Sequence, residues 1–512
     1  MTDLPPSWAS ATIGELCEVN PRHFDRMITD DEELSLVPMA LVEAETGRLD
    51  PRCRTTYRDV KKRSLTHFQD DDVIFSKITP CMENGKIALA ANLIGGRAVG
   101  STEYHVLRAR GAVVPKYLMY YLLQPAIRNL AERNMTGAVG QRRVSRSFLQ
   151  ALPVPLPPIA EQRRIVACLE DHLSRLEAAA SGATFAARRL RVLSRSLLHA
   201  AVAGHLASQT SELDAERELR ELEAERTRLI GKAGAPAMPA EIAGYKPPSH
   251  WKVVSLDALC YDHGYGTSTK CNYDAAGTPV LRIPNIQDGE IDLRDLKNAV
   301  DPSLDLANLY VRAGDVLFVR TNGSRDLIGR VATVRESLEV AFASYLIRFR
   351  LVPDGVPADW IRIVVDSTLW RQYLEGKAAS SAGQHNLNSK TLAQLPIPVP
   401  PRKELTEILS EVERQTSLMT ATAGALRSTG IRSVALRKSL LAEAFAGRLA
   451  PQEPMDEPAD RLLVRIRQES AASRPIPSTR GRAARKPRPE AAPAHSDPPA
   501  GASAEIQEGT LW

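Results

Sequence analysis

Two stretches of the chain carry apolar residues at alternating steps of three and four. In the first, Val166, Leu169, Leu173, Leu176, Ala180, Ala183, Ala187, Leu190, Ser194, Leu197 and Ala201 fall on one seam. A period of 3.5 predicts a long helix that packs against another helix as a coiled coil. The seam is large at its ends and mostly alanine in its middle, where a partner helix is expected to approach closely. The second stretch keeps Leu409, Val412, Met419, Ala423, Leu426, Leu440 and Ala444, and interrupts them with Thr416, Gly430, Ser433 and Arg437. Ser181-Gly182 and Ala423-Gly424 are candidate breaks. The two helices are expected to pair with each other, antiparallel.

The regions before these helices have a different pattern. Short apolar runs such as Asp72-Val73-Ile74-Phe75 and Asp315-Val316-Leu317-Phe318-Val319 predict strands. Gly47, Gly85, Gly95-Gly96, Gly264, Gly277 and Gly323 punctuate turns. Pro115 to Leu123 predicts a helix with proline in its first turn, and Trp360 to Leu374 is its counterpart. Both regions close on alternating prolines, Leu152-Pro153-Val154-Pro155-Leu156-Pro157-Pro158 and Leu395-Pro396-Ile397-Pro398-Val399-Pro400-Pro401. Such a run is barred from helix and stays extended. Its last proline suits a helix start, where Glu161 or Glu404 favours the N-terminal dipole.

These parallels are an internal repeat. Residues 140–207 align without a gap to 383–450, at an offset of 243 and with 24 of 68 positions identical. Average composition would give roughly one in fifteen. Leu16-Cys17 answers Leu259-Cys260 at the same offset, and Pro5-Pro6-Ser7-Trp8 answers Pro247-Pro248-Ser249-His250-Trp251 with one residue inserted. The predicted class is α+β, with two similar α/β domains in tandem, each followed by a long helix. Residues 1–157 form the first domain and 158–207 its helix. A charged helix and a linker occupy 208–245. Residues 246–400 form the second domain and 401–450 its helix. A short helix follows at 451–469, and the Pro/Ala/Ser/Arg-rich stretch 470–512 is expected to be disordered.

Composition narrows the class. The chain has 512 residues, 25% charged and 43% hydrophobic, with a net charge of +5, which excludes a disordered polyelectrolyte. No apolar run reaches 18 residues, so no membrane span is expected, and Met1 to Pro6 does not resemble a secretory signal. Cysteines 17, 53, 81, 168, 260 and 271 are scattered without a C-x-x-C pair. Reduced thiols and a cytoplasmic location are expected.

Charge is uneven within the domains. Residues 1–72 have net charge −6 and 73–146 have +8; residues 246–315 have −3 and 316–390 have +3. Two regions of positive charge suit a polyanion touched at two places. The candidate contacts in the first domain are Lys77 and Lys86 around a Pro/Gly loop, Arg97, the Gly-led triplet Gln141-Arg142-Arg143, and Arg146. In the second domain they are Lys270; Arg320, Asn322, Arg325 and Arg330 in the matching loop; the triplet Gln384-His385-Asn386; and Lys390. Arginine suits guanine and Gln or Asn suits adenine in the major groove. Differences between the copies are what two different half-sites require.

Catalytic motifs are missing. There is no G-x-x-x-x-G-K-[ST] and no H-E-x-x-H. Gly264-Tyr265-Gly266 lacks the third glycine of a dinucleotide loop and reads as a turn. Asp497-Pro498-Pro499-Ala500 has alanine where an amino-methyltransferase needs an aromatic residue, and Asp295-Leu296-Lys297 reads as a surface turn.

The constellation resembles the specificity subunits of type I restriction–modification enzymes. The motifs are two variable domains each followed by L-P-[VI]-P-x-P-P, then E-x-x-x-I, then a helix ending Ser-Leu-Leu-x-x-Ala-x-Ala-Gly-x-Leu. Trp8, Trp251, Gly266-Thr267-Ser268, Pro284 to Gly289 and Ser101 to Arg108 fit it too. The resemblance covers about residues 5–469. Arg402-Lys403-Glu404-Leu405 departs from it, because glutamine is expected after the glutamate, and so does the long basic tail. The resemblance implies two target-recognition domains, each reading one half of a gapped site on double-stranded DNA. It implies that the paired helices are a spacer and a docking site for two adenine-methyltransferase subunits and two ATP-dependent restriction subunits. S-adenosylmethionine, ATP and Mg2+ then belong to those partners, and this chain is a non-catalytic subunit that binds no cofactor. The competing reading is a coiled-coil scaffold without sequence-specific DNA binding, which leaves the two charged, divergent domains unexplained.

Overall fold

The computed structural model describes residues 4–22, 24–138, 140–207, 215–231, 234–381 and 383–472; of the expected disordered stretch 470–512, residues 470–472 end a helix and 473–512 lie outside the described residues. The chain folds into two compact units. One is built from residues up to Arg163 together with those from Gln452 onward, the other from Arg164–Pro451.

The α/β part of the first unit centres on an antiparallel sheet in the order Cys17–Val19, Tyr104–Ala109, Val73–Ser76, Ile87–Leu89. A second sheet runs Arg54–Thr56, Glu33–Val37, Arg97–Gly100, Thr66–Gln69, with its middle pair parallel. The second unit has the matching pair of sheets. One is Cys260–Tyr265, Leu346–Leu351, Asp315–Val319, Val331–Thr333. The other is Cys271–Asn272, Lys297–Ala299, Pro279–Leu281, Ala341–Phe342, again with one parallel pair. The predicted strands at 72–75 and 315–319 are the buried centres of these folds. Each core sheet also buries an ion pair, with the aspartates 243 and the arginines 242 residues apart. Arg108 grips Asp72 at 2.8 Å, and Arg350 grips Asp315 at 2.8 Å, with both carboxylates 1% exposed.

The proline stretches are strands. Pro153–Leu156 pairs antiparallel with Ala9–Thr12, and Pro396–Val399 with Lys252–Ser255, in the same register at offset 243. Alternation explains how prolines are tolerated. The N–H and C=O of one strand residue point to the same side, so Pro153 and Pro155 place both missing donors away from the partner strand. The carbonyls on that side need donors, and aromatic side chains supply them. Tyr121 and Tyr117 donate their hydroxyls to Pro153 and Pro155 at 2.5 and 2.7 Å. In the second copy Trp370 and Trp360 donate their indole N–H groups to Pro396 and Pro398, both at 2.7 Å. The donors come from Pro115–Leu123, Ala358–Asp366 and Thr368–Lys377. Thr368–Lys377 answers Pro125–Arg133, so the single helix expected from Trp360 to Leu374 is two, broken at Ser367.

A long helix follows each proline strand, Ile159–Val202 and Arg402–Phe445, each of 44 residues. At 1.5 Å per residue that is about 66 Å. Neither Ser181-Gly182 nor Ala423-Gly424 breaks its helix. The helices pack antiparallel. Leu197, Ala201 and Val202 at the end of the first share a cluster with Leu405, Ile408 and Val412 near the start of the second. Further along, Arg437 lies 4.0 Å from Glu177. Of the expected seam, Val166, Leu169, Leu173, Leu197 and Val412 are buried, while Leu176, Leu409, Met419 and Leu440 are half-buried. The apolar face widens at the ends, adding Ile165, Leu405, Ile408, Leu441 and Phe445. Ser194 and Thr416 are exposed.

A buried hydrogen bond fixes each domain to the start of its helix. Trp8 donates its indole N–H to Glu161 Oε1 at 3.0 Å, and Trp251 donates to Glu404 Oε1 at 3.1 Å, with donor and acceptor 153 residues apart in both. Beside Glu161, Gln162 accepts from the Val114 amide and donates to the Ala112 and Pro157 carbonyls. The departure at Leu405 exchanges this polar clamp for an apolar one, because Leu405 is buried in the second unit's core.

Two shorter helices extend the repeat. Ala215–Ile230 packs on the second domain, where Arg226 donates to the Cys260 and Asp257 carbonyls. Ala459–Ala472 packs on the first, where the Ala459 amide donates to Ser7 and Arg467 pairs with Glu15 at 2.7 Å. Among the described residues no helix is long and apolar enough to cross a membrane.

Replacing Trp251 with phenylalanine keeps a ring but removes the donor to Oε1 of the buried Glu404 carboxylate, whose Oε2 still lies 2.8 Å from His250 Nε2. The expected loss is about 1.5–3 kcal/mol, the range for a hydrogen bond to a charged group. It is read as a lower urea midpoint. An unchanged midpoint would show that the bond does not hold the helix start.

Candidate nucleic-acid interface

In both domains the central core strand leaves the sheet at a cation, Lys77 or Arg320. The backbones are held alike. The Lys77 amide donates to Glu103 and its carbonyl accepts from Val144, while the Arg320 amide donates to Tyr345 and its carbonyl accepts from Leu387. The side chains are also used alike, each donating to the carbonyl of a matching loop: Lys77 to Thr102 at 2.6 Å, Arg320 to Ser344 at 3.3 Å. Arg320 additionally lies over the Tyr265 ring, 4.8 Å from its centre.

The next residue joins the candidate triplet. Ile78 bridges Arg143, which also bridges Thr136. Thr321 pairs with Asn386, which also pairs with Ala379. The second domain forms a small three-stranded ribbon and the first repeats its pairing as two single bridges, a ribbon-like turn that brings Gln141-Arg142-Arg143 and Gln384-His385-Asn386 to the loops that start at Lys77 and Arg320. Arg146 is exposed in the first turn of Arg146–Ala151, and Lys390 is exposed on Ser389–Ala393, the corresponding helix.

Within the triplets the environments differ by position. Gln141 and Gln384 are exposed. Arg142 is 38% exposed, 3.4 Å from Glu83 and 3.7 Å from Glu132, and His385 is half-buried. The third residue is engaged in both copies. Arg143 forms a two-pronged pair with Glu103, both contacts 2.9 Å, and Asn386 accepts from the Thr321 hydroxyl at 2.7 Å. The Arg143 guanidinium holds the Glu103 carboxyl below its ordinary range, although partial burial works against it.

Other candidates are placed less favourably. Arg97 departs from the expectation: it is 6% exposed, paired with Glu32 at 2.5 Å and stacked near Phe24. Lys86 is half-buried and donates to the Met39 carbonyl at 2.7 Å. Arg325 is spent on the Glu375 carbonyl, and Asn322 caps its own turn through the Ser324 amide. Arg330 and Lys270 are exposed. Arg97–Glu32, Arg108–Asp25 and Arg128–Glu45 also link the positive section of the first domain to its negative one. Much of the charge asymmetry along the chain is thus neutralised inside the fold.

Three residues beyond the candidates shape the site. Tyr265, 41% exposed, accepts from the Ser389 amide at 3.0 Å, and Tyr345 is 54% exposed. Tyr265 precedes a glycine with a structural reason: a Cβ on Gly266 would collide with the Phe342 carbonyl. In the first domain His105 lies beneath the ribbon, its Nε2 2.9 Å from the Val144 carbonyl and its Nδ1 3.1 Å from the Asn20 amide nitrogen. These partners suit a neutral ring with its proton on Nε2. No cluster of side chains among the described residues is arranged to hold a metal ion.

The family model for the type I restriction modification DNA specificity domain matches residues 5–181. The specificity subunit of the Escherichia coli type I enzyme EcoEI is 27% identical over 469 residues, covering 80% of this chain and 78% of that one. The chain is thus similar to type I specificity subunits over most of its length, and its first 181 residues match the specificity-domain model from residue 5 onward. The EcoKI specificity subunit of Escherichia coli K12 is 23% identical over 72% of this chain and 74% of its own. The EcoAI specificity subunit, also from Escherichia coli, is 39% identical, but over 32% of this chain and 28% of its own. Two solved structures share the fold of this chain. One, described under complex assembly and conformational transition of the type I R-M system, has a TM-score of 0.62 at 21% identity, covering 87% of this chain and 99% of that one. The HsdS subunit from Thermoanaerobacter tengcongensis has a TM-score of 0.54 at 20% identity, covering 87% and 98%.

His105 gives the first domain a pH dependence. Burial pushes its imidazole below the ordinary 6.5, against the Val144 carbonyl and Glu103, while Lys77 and Arg146 push it further down. A lowered histidine stabilises the fold above its unfolded value, and that contribution drains away as pH falls below about 6.5. Wild-type stability is expected to drop between pH 7.5 and 5.5, and His105→Gln to flatten that drop. Equal slopes in urea titrations would exclude the role.

Proposed function

We propose that this specificity subunit reads a two-part site on double-stranded DNA, one part through each ribbon and its neighbouring loops. The observation that carries the reading is the repeated scaffold with different side chains at the second position of its triplet. One backbone geometry presents Arg142 in the first domain and His385 in the second. In this reading Arg146, Lys390, Arg330 and Lys270 contact phosphates, because they are exposed cations around the ribbons, and phosphate contacts set position rather than sequence.

The paired helices hold the two readers and dock the methyltransferase and restriction subunits, in two copies each. Exposed apolar side chains along them support this, including Phe185 and Val192 on the first helix and Leu418, Ile431 and Val434 on the second, each more than half exposed. S-adenosylmethionine, ATP and Mg2+ are used by those partners, and this subunit performs no chemistry itself. The complex works on DNA in the cytoplasm.

Exchanging residues 1–157 for the equivalent part of a relative should change one part of the selected site and leave the other intact. A change in both parts would contradict separate readers. Arg146→Ala and Lys390→Ala should each lower the slope of log affinity against log salt by about one and leave sequence preference unaltered. DNA binding that ignores both sequence and salt would favour the scaffold reading instead.

A further inference from the structure

The three positions of each ribbon triplet have different freedoms, and the difference assigns them different tasks. This inference rests on the two-part recognition proposed above. The third position is committed to the fold, because Arg143 is clamped by Glu103 and Asn386 by Thr321. The second differs between copies, arginine against histidine. The first is glutamine in both, although the two domains have diverged nearly everywhere else outside the strand and helix framework.

Gln141 and Gln384 share more than identity. Each follows a glycine with positive φ, Gly140 at 81° and Gly383 at 78°. That left-handed turn favours glycine and fixes how the next residue leaves the ribbon tip. Each is exposed, and neither side chain bonds to any described residue. A solvated glutamine at a ribbon tip adds nothing to packing, so the fold itself gives no reason to keep it in both copies. A primary amide offers a donor and an acceptor side by side. In the major groove that pair matches adenine, whose N6 donates and whose N7 accepts. A groove of about 12 Å admits a β-ribbon.

We propose that Gln141 and Gln384 read an adenine common to the two halves of the DNA site, while Arg142 and His385 make the halves differ. The glutamines are specificity-determining residues of the same kind in both domains, and the third position is a structural anchor that reads nothing.

The test is selection from a randomised DNA duplex library by the full chain, followed by affinity measurements on the preferred duplex. The wild type should enrich a two-part motif with one A·T pair at corresponding places. Gln141→Ala should flatten that single position in one part and lower affinity at least fivefold, leaving the other part unchanged. Gln384→Ala should do the same in the other part. Gln141→Glu keeps the size and loses the donor, so it too should lose adenine at that position. Arg142→Ala should flatten a different position, and only in the first part. Unchanged profiles for both glutamine variants would overturn the assignment, as would weaker binding with an unchanged profile, the mark of a phosphate contact. A wild-type chain that enriches no motif would overturn the recognition reading and the assignment with it.

Discussion

The architecture depends on one buried contact made twice, the indole N–H of a tryptophan donated to a glutamate in the first turn of a long helix. A carboxylate belongs at a helix N-terminus, where unpaired backbone amides favour negative charge. Burying it requires a partner, because an unpaired buried charge is costly. The tryptophan meets that need and ties the first strand of the domain to the helix that follows its last. Since Trp8–Glu161 and Trp251–Glu404 span the same 153 residues, each domain is closed on itself at one point. The proline strand reinforces the closure. Its outward carbonyls are bonded by tyrosines in one copy and tryptophans in the other. The helix start is therefore held by groups from the beginning, middle and end of each domain.

A rigid frame allows the second ribbon position to vary. Lys77 and Arg320 look alike in sequence as free cations, yet both are spent on loop carbonyls, and Arg97 is buried against Glu32. What reaches solvent from the ribbon is short: a glutamine, then an arginine or a histidine. Recognition that rests on so few side chains per domain needs their backbone fixed, and the bridges from Ile78 to Arg143 and from Thr321 to Asn386 fix it to the core strand.

Much of the frame was legible in the sequence because periodicity and proline chemistry are local. The 3.5-residue seam marked both long helices, the alternating prolines marked the extended stretches, and the offset of 243 paired the two triplets before any contact was known. What escaped depends on long-range partners. Nothing near Arg97 in sequence reveals Glu32, 65 residues away. Segment charge suggested more positive surface than the fold leaves, because acidic and basic sections neutralise one another. The breaks expected at Ser181-Gly182 and Ala423-Gly424 did not occur, since helix-on-helix packing outweighs the roughly 1 kcal/mol cost of one glycine. One signal was available and unused. Ala215, Arg217, Leu219 and Glu225 recur as Ala459, Arg461, Leu463 and Glu469 at an offset of 244, which marks the two short helices as a continuation of the repeat.

The central claim is that one chain contacts DNA twice through equivalent ribbons. Hydroxyl-radical footprinting of the full chain on a duplex carrying its selected site tests this most directly. The account predicts two short protected tracts with an accessible gap between them, and loss of only one tract when Arg142 and Arg146 are both replaced by alanine. A single continuous footprint, or loss of both tracts together in that variant, would contradict it.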